Sequence, residues 1–128
     1  MRVLLDTHVL IWWAADDPRL SRRARRILGD RGNELWFSAA GAWELLIKNQ
    51  AGKLTLPEPA ATYVPSRLSW YGVEPLPVEM RHVLGVAELP RHHRDPFDRL
   101  LIAQSRLENL PIVTSDGHIK RYQVETIW

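Results

Sequence analysis

The sequence has 128 residues and a formal net charge of +2, with 45% apolar and 25% charged residues, proportions typical of one globular domain able to bury a core. The absence of cysteine excludes a disulfide framework and a zinc–thiolate site, and it is compatible with the cytoplasmic location that we expect. The opening MRVLLD reaches a charge at position 6, and the apolar run over 9–15 is far below the ~18 residues of a membrane span, so we expect neither a signal peptide nor membrane association.

Hydrophobic patterning, capping residues and helix breakers divide the chain 1–128 into alternating strands and helices, which we interpret as a single domain. In chain order, the predicted elements are a strand over 2–5, helices over 8–15 and 20–28, a strand over 34–38, helices over 39–51 and 60–72, an edge strand over 73–77, helices over 78–89 and 96–109, a strand over 111–115 and a last edge strand over 124–128. Pro65 is expected near the start of its helix, where proline is tolerated. Short apolar strands alternating with helices predict an α/β fold with a mainly parallel sheet between helical layers.

The stretch RDPFDRLLIAQ, residues 94–104, places two aspartates three positions apart at the start of a helix. Asp95 followed by Pro96 is a favoured N-cap and first helical residue, so we assign Asp95 to capping. Asp98 falls in the first turn, where a negative charge suits the helix dipole. The HHRD segment just before is expected to be an exposed loop. This stretch alone therefore needs no functional explanation.

A functional role for Asp98 is favoured by three other acids that also lie near boundaries between apolar and polar sequence. Asp6 and Asp116 each follow a predicted strand. The carboxyl ends of parallel strands lie on one rim of the sheet, where ligands bind. Glu44 lies inside an apolar helix. Each acid also has an ordinary alternative: the strand-end aspartates suit turns or helix caps, and Glu44 suits an i,i+4 pair with Lys48.

Four carboxylates drawn together would repel one another and take up protons unless a cation neutralised them. Ligands that offer only oxygen favour Mg²⁺, with Mn²⁺ as a possible substitute. Such ions activate water and stabilise charge on a transferring phosphoryl group. The implied chemistry is hydrolysis of a phosphodiester or a phosphate ester. Spacing along the chain does not show that the four acids converge.

Four segments that cover nearly the whole chain carry a family pattern: LLDTHVLIWW, SAAGAWELLIKNQAGKLTLP, HHRDPFDRLLIAQS and PIVTSDGHIKRY. In this order they resemble the PIN-domain ribonucleases of the VapC toxin type, from bacterial toxin–antitoxin pairs. The resemblance implies a three-layer α/β/α sandwich with a central, mainly parallel sheet. It also implies an endoribonuclease that hydrolyses RNA with metal-activated water.

The resemblance further implies roles for individual residues. Asp6 and Asp98 would be the main Mg²⁺ ligands, and Asp116 would bind directly or through water. Glu44 would complete the cluster and help to orient the attacking water. Thr7 stands where the family has a small hydroxyl residue, which would either bond a water on the metal or cap the next helix.

One residue departs from the family pattern. Gly41 stands where relatives commonly have serine, three residues before Glu44, so that hydroxyl is missing from the expected site. Among the six tryptophans, Trp36 and Trp43 are expected in the core.

Five arginines lie within eight residues that contain no acid: Arg19, Arg22, Arg23, Arg25 and Arg26. One interpretation is a solvated helix face. The other is contact with RNA phosphates, for which Arg22, Arg23, Arg25 and Arg26 are the candidates and Lys48 a further one.

The family also implies partners: an RNA substrate, a small VapB-type antitoxin that lies across the active-site groove, and usually a second copy of the toxin in a homodimer. Two other functions stay open on the sequence alone. One is a Mg²⁺-dependent phosphatase or phospho-acceptor domain with an aspartate nucleophile, which would normally have a lysine after a late strand. The other is a non-catalytic PIN-like module that binds RNA without cutting it.

Overall fold

The five apolar segments predicted as strands pair side by side in one sheet, and every neighbouring pair is parallel. The computed structural model describes residues 1–128. Its strands, in the spatial order β3-β2-β1-β4-β5, are β1 (Arg2–Leu5), β2 (Glu34–Ser38), β3 (Glu74–Leu76), β4 (Ile112–Val113) and β5 (Thr126–Ile127). The predicted parallel sheet is therefore confirmed, although its last three strands are shorter than predicted.

Helices connect the strands and cover the sheet. They are α1 (Thr7–Ala14), α2 (Arg22–Gly29), α3 (Ala39–Gln50), α4 (Ala60–Tyr71), α5 (Met80–Gly85), α6 (Pro96–Glu108) and α7 (Gly117–Lys120), with a 3₁₀ turn over 86–88 after α5. Pro65 lies in the middle of α4 rather than near its start. The helix α7 was not predicted, because its four residues are too few for a periodic pattern. None of these helices combines the length and the apolar character needed to cross a membrane.

Alternating side chains of the strands divide the core into two layers. Val3 and Leu5 of β1 face a cluster that includes α1, α2, α3 and α4, whereas Leu4 between them faces α6 and α7. All three side chains are at most 1% exposed. This arrangement is the three-layer α/β/α sandwich that the resemblance implied, and that prediction is confirmed.

The chain changes direction across the sheet at β1. After β1 the chain crosses to β2 on one side, and β4 later joins β1 from the other side. The segments that leave β1 and β4 therefore diverge to opposite layers, α1 to one and α7 to the other. Such a switch point opens a crevice at the carboxyl ends of the strands, where ligands bind in parallel sheets. Asp6 and Asp116 lie in these two segments.

A buried amide ties α6 to the sheet. Gln104 is fully buried, and its side-chain oxygen accepts a 2.5 Å hydrogen bond from the Ser38 hydroxyl. Its side-chain nitrogen donates to the carbonyl of Pro77 at 3.3 Å. Ser38 ends β2, and its hydroxyl also caps α3. Because Glu44 lies on α3 and Asp98 on α6, this link fixes the two helices that carry candidate site residues.

Replacing Gln104 by Leu should lower the free energy of unfolding by roughly 1–3 kcal/mol, because the buried Ser38 hydroxyl loses its acceptor. Urea unfolding followed by circular dichroism measures this change. The matched control is Gln50→Leu at the exposed end of α3, which should change stability by less than about 0.5 kcal/mol. Equal losses in the two variants would contradict the linking role of Gln104.

Candidate active site

Asp6 directly follows β1 and stands at the N-cap position of α1, with φ −63° and ψ 149°. Its carboxylate nevertheless makes no capping hydrogen bond. Instead, Oδ2 accepts a 2.7 Å hydrogen bond from the Thr114 hydroxyl, and the residue is only 7% exposed. Helix capping therefore does not account for this aspartate, whose Oδ1 bonds no other group of the chain.

Thr114 is a site residue that sequence reasoning missed. It is fully buried and directly follows β4. Its hydroxyl donates to Asp6 and accepts from the backbone N–H of Asp116 at 3.0 Å, so it joins the segments that leave β1 and β4. The available signal was a hydroxyl residue two positions before an aspartate. That signal becomes specific only once β1 and β4 are known to pair.

The two aspartates at the start of α6 have different surroundings. Asp95 accepts hydrogen bonds from the backbone N–H groups of Phe97 and Asp98 at 2.9 and 3.1 Å, so it caps α6 as predicted. Asp98 has no capping role, and its side chain is 13% exposed. Its Oδ2 lies 3.0 Å from Nε2 of His93. The cap and the candidate metal ligand are thus separate residues.

His93 connects Asp98 to a hydrogen-bonded network. Its Nδ1 lies 2.8 Å from the hydroxyl of Tyr122, which accepts from Arg99 at 3.0 Å. Because the carboxylate is an acceptor, the proton is assigned to Nε2, and Nδ1 then accepts from Tyr122. The ring also stacks on His118, with centroids 5.1 Å apart. The prediction of an exposed loop here was wrong for His93, whose side chain is 11% exposed.

Glu44 enters the site from α3. It is buried, and its Oε2 accepts a 2.8 Å hydrogen bond from Lys48 one turn later. The ordinary i,i+4 pair is therefore present, although only 7% of the Glu44 side chain is exposed. Burial by itself would lower the pKa of Lys48, but the bond to Glu44 and the carboxylates at the start of α6 raise it. The Lys48 ammonium thus lies close to Glu44 and to the two aspartates at the start of α6.

Asp116 occupies the segment after β4 and is half-buried. Its Oδ1 accepts a 2.8 Å hydrogen bond from the backbone N–H of His118, so it caps α7. The ordinary explanation as a helix cap is therefore correct for this residue. It remains compatible with a second role, because its Oδ2 bonds no other group of the chain.

The four acids that spacing could not connect act on one another electrostatically. Burial raises the pKa of Asp6, and the negative charges of Asp116 and Glu44 raise it further. Burial also raises the pKa of Asp98 to about 7, with contributions from three neighbouring aspartates, Asp6 among them. Asp6 therefore lies within electrostatic range of the other three acids, so that the four side chains gather around it. We call them the acid cluster.

The acid cluster fits a hard divalent cation. Lys48 pairs with Glu44, and no lysine or arginine forms an ion pair with the other three carboxylates, so negative charge is in excess. No three of them have ligand atoms that all lie within 4.8 Å of one another, as expected for like charges that repel. The donor set contains only oxygen, which suits Mg²⁺ or Mn²⁺ better than softer metals.

A second group of potential ligands lies where α5 meets α6. Atoms of Glu79, His82 and Glu108 lie within 4.8 Å of one another. Nδ1 of His82 accepts from the backbone N–H of Glu79 at 2.9 Å, and its Nε2 lies 2.8 Å from Glu108. Arg81 pairs with both glutamates. Because the Arg81 guanidinium already contacts both carboxylates, this group is a structural link between the two helices.

The arginines of α2 make no contact with the acid cluster. Arg22, Arg23 and Arg26 are exposed, whereas Arg25 donates to the side chain of Asp16. The structure therefore brings the four predicted acids together, but it does not bring the predicted arginines to them.

Gly41 lies against the first turn of α1. A Cβ atom at this position would lie 2.9 Å from Cζ of Phe37 and 3.1 Å from the hydroxyl of Thr7. Both residues are buried, so they have little room to move. The departure from serine therefore has a physical reason: any side chain at position 41 would require Phe37 or Thr7 to shift.

Trp43 lies on the outer side of α3, and the prediction that it belongs to the core was wrong. Its side chain is 60% exposed and packs edge-on against Phe97, with ring centroids 5.4 Å apart. The reason is the helical period, since Glu44 and Leu45 take the buried face of α3.

The chain is similar to known proteins along nearly its whole length. The family model described as PIN domain matches residues 3–125. Ribonuclease VapC22 of Mycobacterium tuberculosis is 27% identical over 132 aligned residues, which cover 98% of each chain. Ribonuclease VapC16 of the same organism is 45% identical over 69 residues. That second match spans 51% of this chain and only 49% of the relative.

Two solved structures share the fold over nearly their whole length. VapBC2 from Rickettsia felis, bound to a DNA fragment from its promoter, has a TM-score of 0.73 at 18% identity, covering 99% of this chain and 98% of that one. A toxin–antitoxin complex from Klebsiella pneumoniae has a TM-score of 0.64 at 14% identity, covering 98% and 96%. At these identities the likeness concerns the fold.

Gly41→Ala should lower the free energy of unfolding by roughly 0.5–2 kcal/mol, because overpacking against Phe37 and Thr7 outweighs the better helix propensity of alanine. Gly29→Ala is the matched control, since nothing lies within 4 Å of a Cβ there. It should be neutral or slightly stabilising. Chemical unfolding of both variants makes the comparison, and a stabilised Gly41→Ala variant would contradict the close approach.

Asp98→Asn should stabilise the fold in EDTA at pH 8 by roughly 1–3 kcal/mol more than at pH 5, after allowance for the solvent that reaches this side chain. The sign follows from the raised pKa of Asp98, about 7 in the folded protein. Folded protein keeps the proton up to that pH and unfolded chain does not, so ionisation of Asp98 weakens the fold as pH rises from about 4 to 7. Asparagine is neutral throughout and escapes this penalty.

Urea unfolding at the two pH values measures the difference. Asp30→Asn in the exposed α2–β2 loop is the control, and its effect should be the same at both pH values. A stability gain for Asp98→Asn that did not change with pH would argue against charge repulsion at Asp98.

Proposed function

This chain belongs to the PIN-domain family, and on that premise we propose that it is a metal-dependent endoribonuclease and the toxin of a toxin–antitoxin pair. The observation that carries the proposal is the convergence of four carboxylates from four separate elements at the switch point of a parallel sheet. The names of the relatives, ribonucleases VapC16 and VapC22, support the same reaction class. The chemistry is hydrolysis of RNA phosphodiester bonds.

Nucleases of this family depend on a metal ion. We infer Mg²⁺, with Mn²⁺ as a substitute, held by Asp6 and Asp98 and by Asp116 directly or through water. When bound, such an ion activates water and stabilises the charge that develops on the phosphoryl group.

Residues behind the acids orient them for this task. Thr114 holds Oδ2 of Asp6 and leaves Oδ1 free for the crevice. His93 likewise holds Oδ2 of Asp98 and leaves Oδ1 free. Because each ligand is already fixed through one oxygen, little reorganisation is needed when the other oxygen binds a cation.

Glu44 is suited to orient the attacking water. Lys48 holds its Oε2, and its Oε1 bonds no other group of the chain. A free carboxylate oxygen beside the other acids can accept a hydrogen bond from water and, with it, a proton. Thr7 lies buried at the start of α1, close to Gly41, and we assign it to packing and positioning there.

The candidates for further RNA contacts are exposed arginines away from the acids and one lysine beside them. Arg22, Arg23 and Arg26 are exposed and unpaired, so they remain candidates for RNA phosphates. Arg25 is a weaker candidate because it already bonds Asp16. Lys48 lies at the edge of the acid cluster, where a phosphate would approach.

A VapB-type antitoxin and a second copy of the chain are the protein partners that we propose. A solved toxin–antitoxin complex with the same fold supports the first. The chain also exposes several large apolar side chains that an interface would cover: Trp43, Trp70, Met80, Val83, Leu84 and Leu107.

With Mg²⁺ or Mn²⁺, the purified chain should cleave single-stranded RNA, and EDTA should abolish the cleavage. Asp6→Asn and Asp98→Asn should each lower kcat/KM by about 10²–10³-fold, the equivalent of several kcal/mol of lost transition-state stabilisation. Asp30→Asn in the exposed α2–β2 loop is the control and should retain activity. Gel analysis of RNA fragments measures all four proteins.

Two results would redirect the assignment. Tight RNA binding with no metal-dependent cleavage would favour a non-catalytic binding module. A trapped phospho-aspartate would favour the phosphatase alternative. Cleavage that survives both EDTA and the two substitutions would contradict the proposed mechanism.

A further inference from the structure

A cavity of about 720 Å³ opens between α5, the 3₁₀ turn and the loop that precedes α6. This volume is in the range of sites that hold small molecules. One part of its lining is basic, from Arg91, His92, His93, Arg94 and Arg99, and the rest is mostly aliphatic. His93 also contacts the acid cluster, because its Nε2 lies 3.0 Å from Oδ2 of Asp98. The cavity therefore adjoins the candidate active site.

The positive charge of this cavity is not neutralised by the chain itself. Arg91 and Arg94 are exposed and form no ion pair or hydrogen bond through their side chains. Arg99 donates only to neutral acceptors, two backbone carbonyls and the hydroxyl of Tyr122. Five other arginines pair with carboxylates: Arg2, Arg19, Arg25, Arg67 and Arg81. Other exposed arginines are also unpaired but do not line this cavity: Arg22, Arg23, Arg26, Arg31 and Arg106. Three uncompensated guanidinium groups around one cavity favour an anionic ligand.

The loop that carries these arginines is held in shape by the rest of the fold. Arg99 donates to the carbonyl of Pro90 at 2.8 Å, and Arg121 donates to the carbonyl of His92 at 3.1 Å. The His92 ring packs edge-on against Tyr122, with centroids 4.9 Å apart. Because the backbone is fixed at these points, Arg91 and Arg94 project from a preorganised frame.

We propose that this cavity is an RNA subsite that takes the nucleotide next to the one whose phosphate lies at the acid cluster, which rests on the function proposed above. The guanidinium groups of Arg91 and Arg94 bind the phosphate of that nucleotide, and the aliphatic lining contacts its sugar and base. An RNA strand fits better than an acidic peptide, because the cavity adjoins the acids where a phosphodiester is cut. The next phosphate of an RNA strand bound there must contact a neighbouring surface of the protein.

The test is the double variant Arg91→Gln/Arg94→Gln, with binding of a labelled single-stranded RNA ten-mer measured in EDTA so that it is not cut. Two lost phosphate contacts should reduce the slope of log K against log salt by about 1.4, at 0.7 per contact, and weaken binding roughly tenfold at 0.1 M salt. The effect should be similar for RNAs of different sequence. With Mg²⁺ present, KM should rise while kcat changes little, because the contact is made equally in ground and transition states.

Arg31→Gln/Arg106→Gln is the matched control, since both residues are exposed arginines without ion-pair partners and lie away from this cavity. Equal salt slopes in the two double variants would overturn the subsite. So would a loss of binding confined to an acidic peptide probe, which would assign the cavity to a protein partner. Because binding is measured in EDTA, absence of cleavage would count against the proposed enzyme activity and not against the subsite.

Discussion

Repulsion among buried carboxylates is the constraint on which the candidate site depends. Parallel pairing of β1 with β4 brings Asp6 and Asp116 to one edge of the sheet, and α3 and α6 add Glu44 and Asp98. Burial, and after it the negative charges of neighbouring aspartates, raises the pKa of Asp98 to about 7. Burial and like charges would weaken any fold that kept four acids for structure alone. Their persistence in one place is therefore an argument for function.

The fold tolerates this repulsion because each acid is restrained by a group that is itself fixed. Thr114 is fully buried, and its hydroxyl donates a hydrogen bond that restrains Asp6, 108 residues earlier in the sequence. His93 restrains Asp98, and Tyr122 and the stacked ring of His118 hold His93 in turn. These restraints keep the acids apart and aimed at a common crevice. A cation entering it would relieve the repulsion without requiring the side chains to be rebuilt.

Local chemistry predicted most elements, because periodicity, caps and breakers act over a few residues. Asp95 capping α6 is such a case, and the unbroken apolar run of β1 predicted a buried strand. Predicting that the acids converge required the family resemblance, because no single segment of the sequence determines the strand order. Thr114 and His93 were missed for the same reason, as their partners are defined by packing. Trp43 was wrongly predicted to be buried, because the position of a residue on a helix determines its burial more than its apolar character does.

The distribution of charge around the site adds a second constraint on its ligand. An RNA strand is itself anionic, so the carboxylates that would hold a cation also repel the substrate. Exposed charges interact over about 8–10 Å at physiological salt, which limits compensation to groups close to the acids. Lys48 lies at the edge of the acid cluster, and the arginines of the 91–99 segment lie just beyond His93. The net charge of +2 does not reveal this distribution, in which unpaired cations border an anionic centre. In the proposed function, a metal ion and these arginines would have complementary tasks: the metal ion would neutralise the protein's acids, and the arginines would attract the phosphates that those acids would otherwise repel.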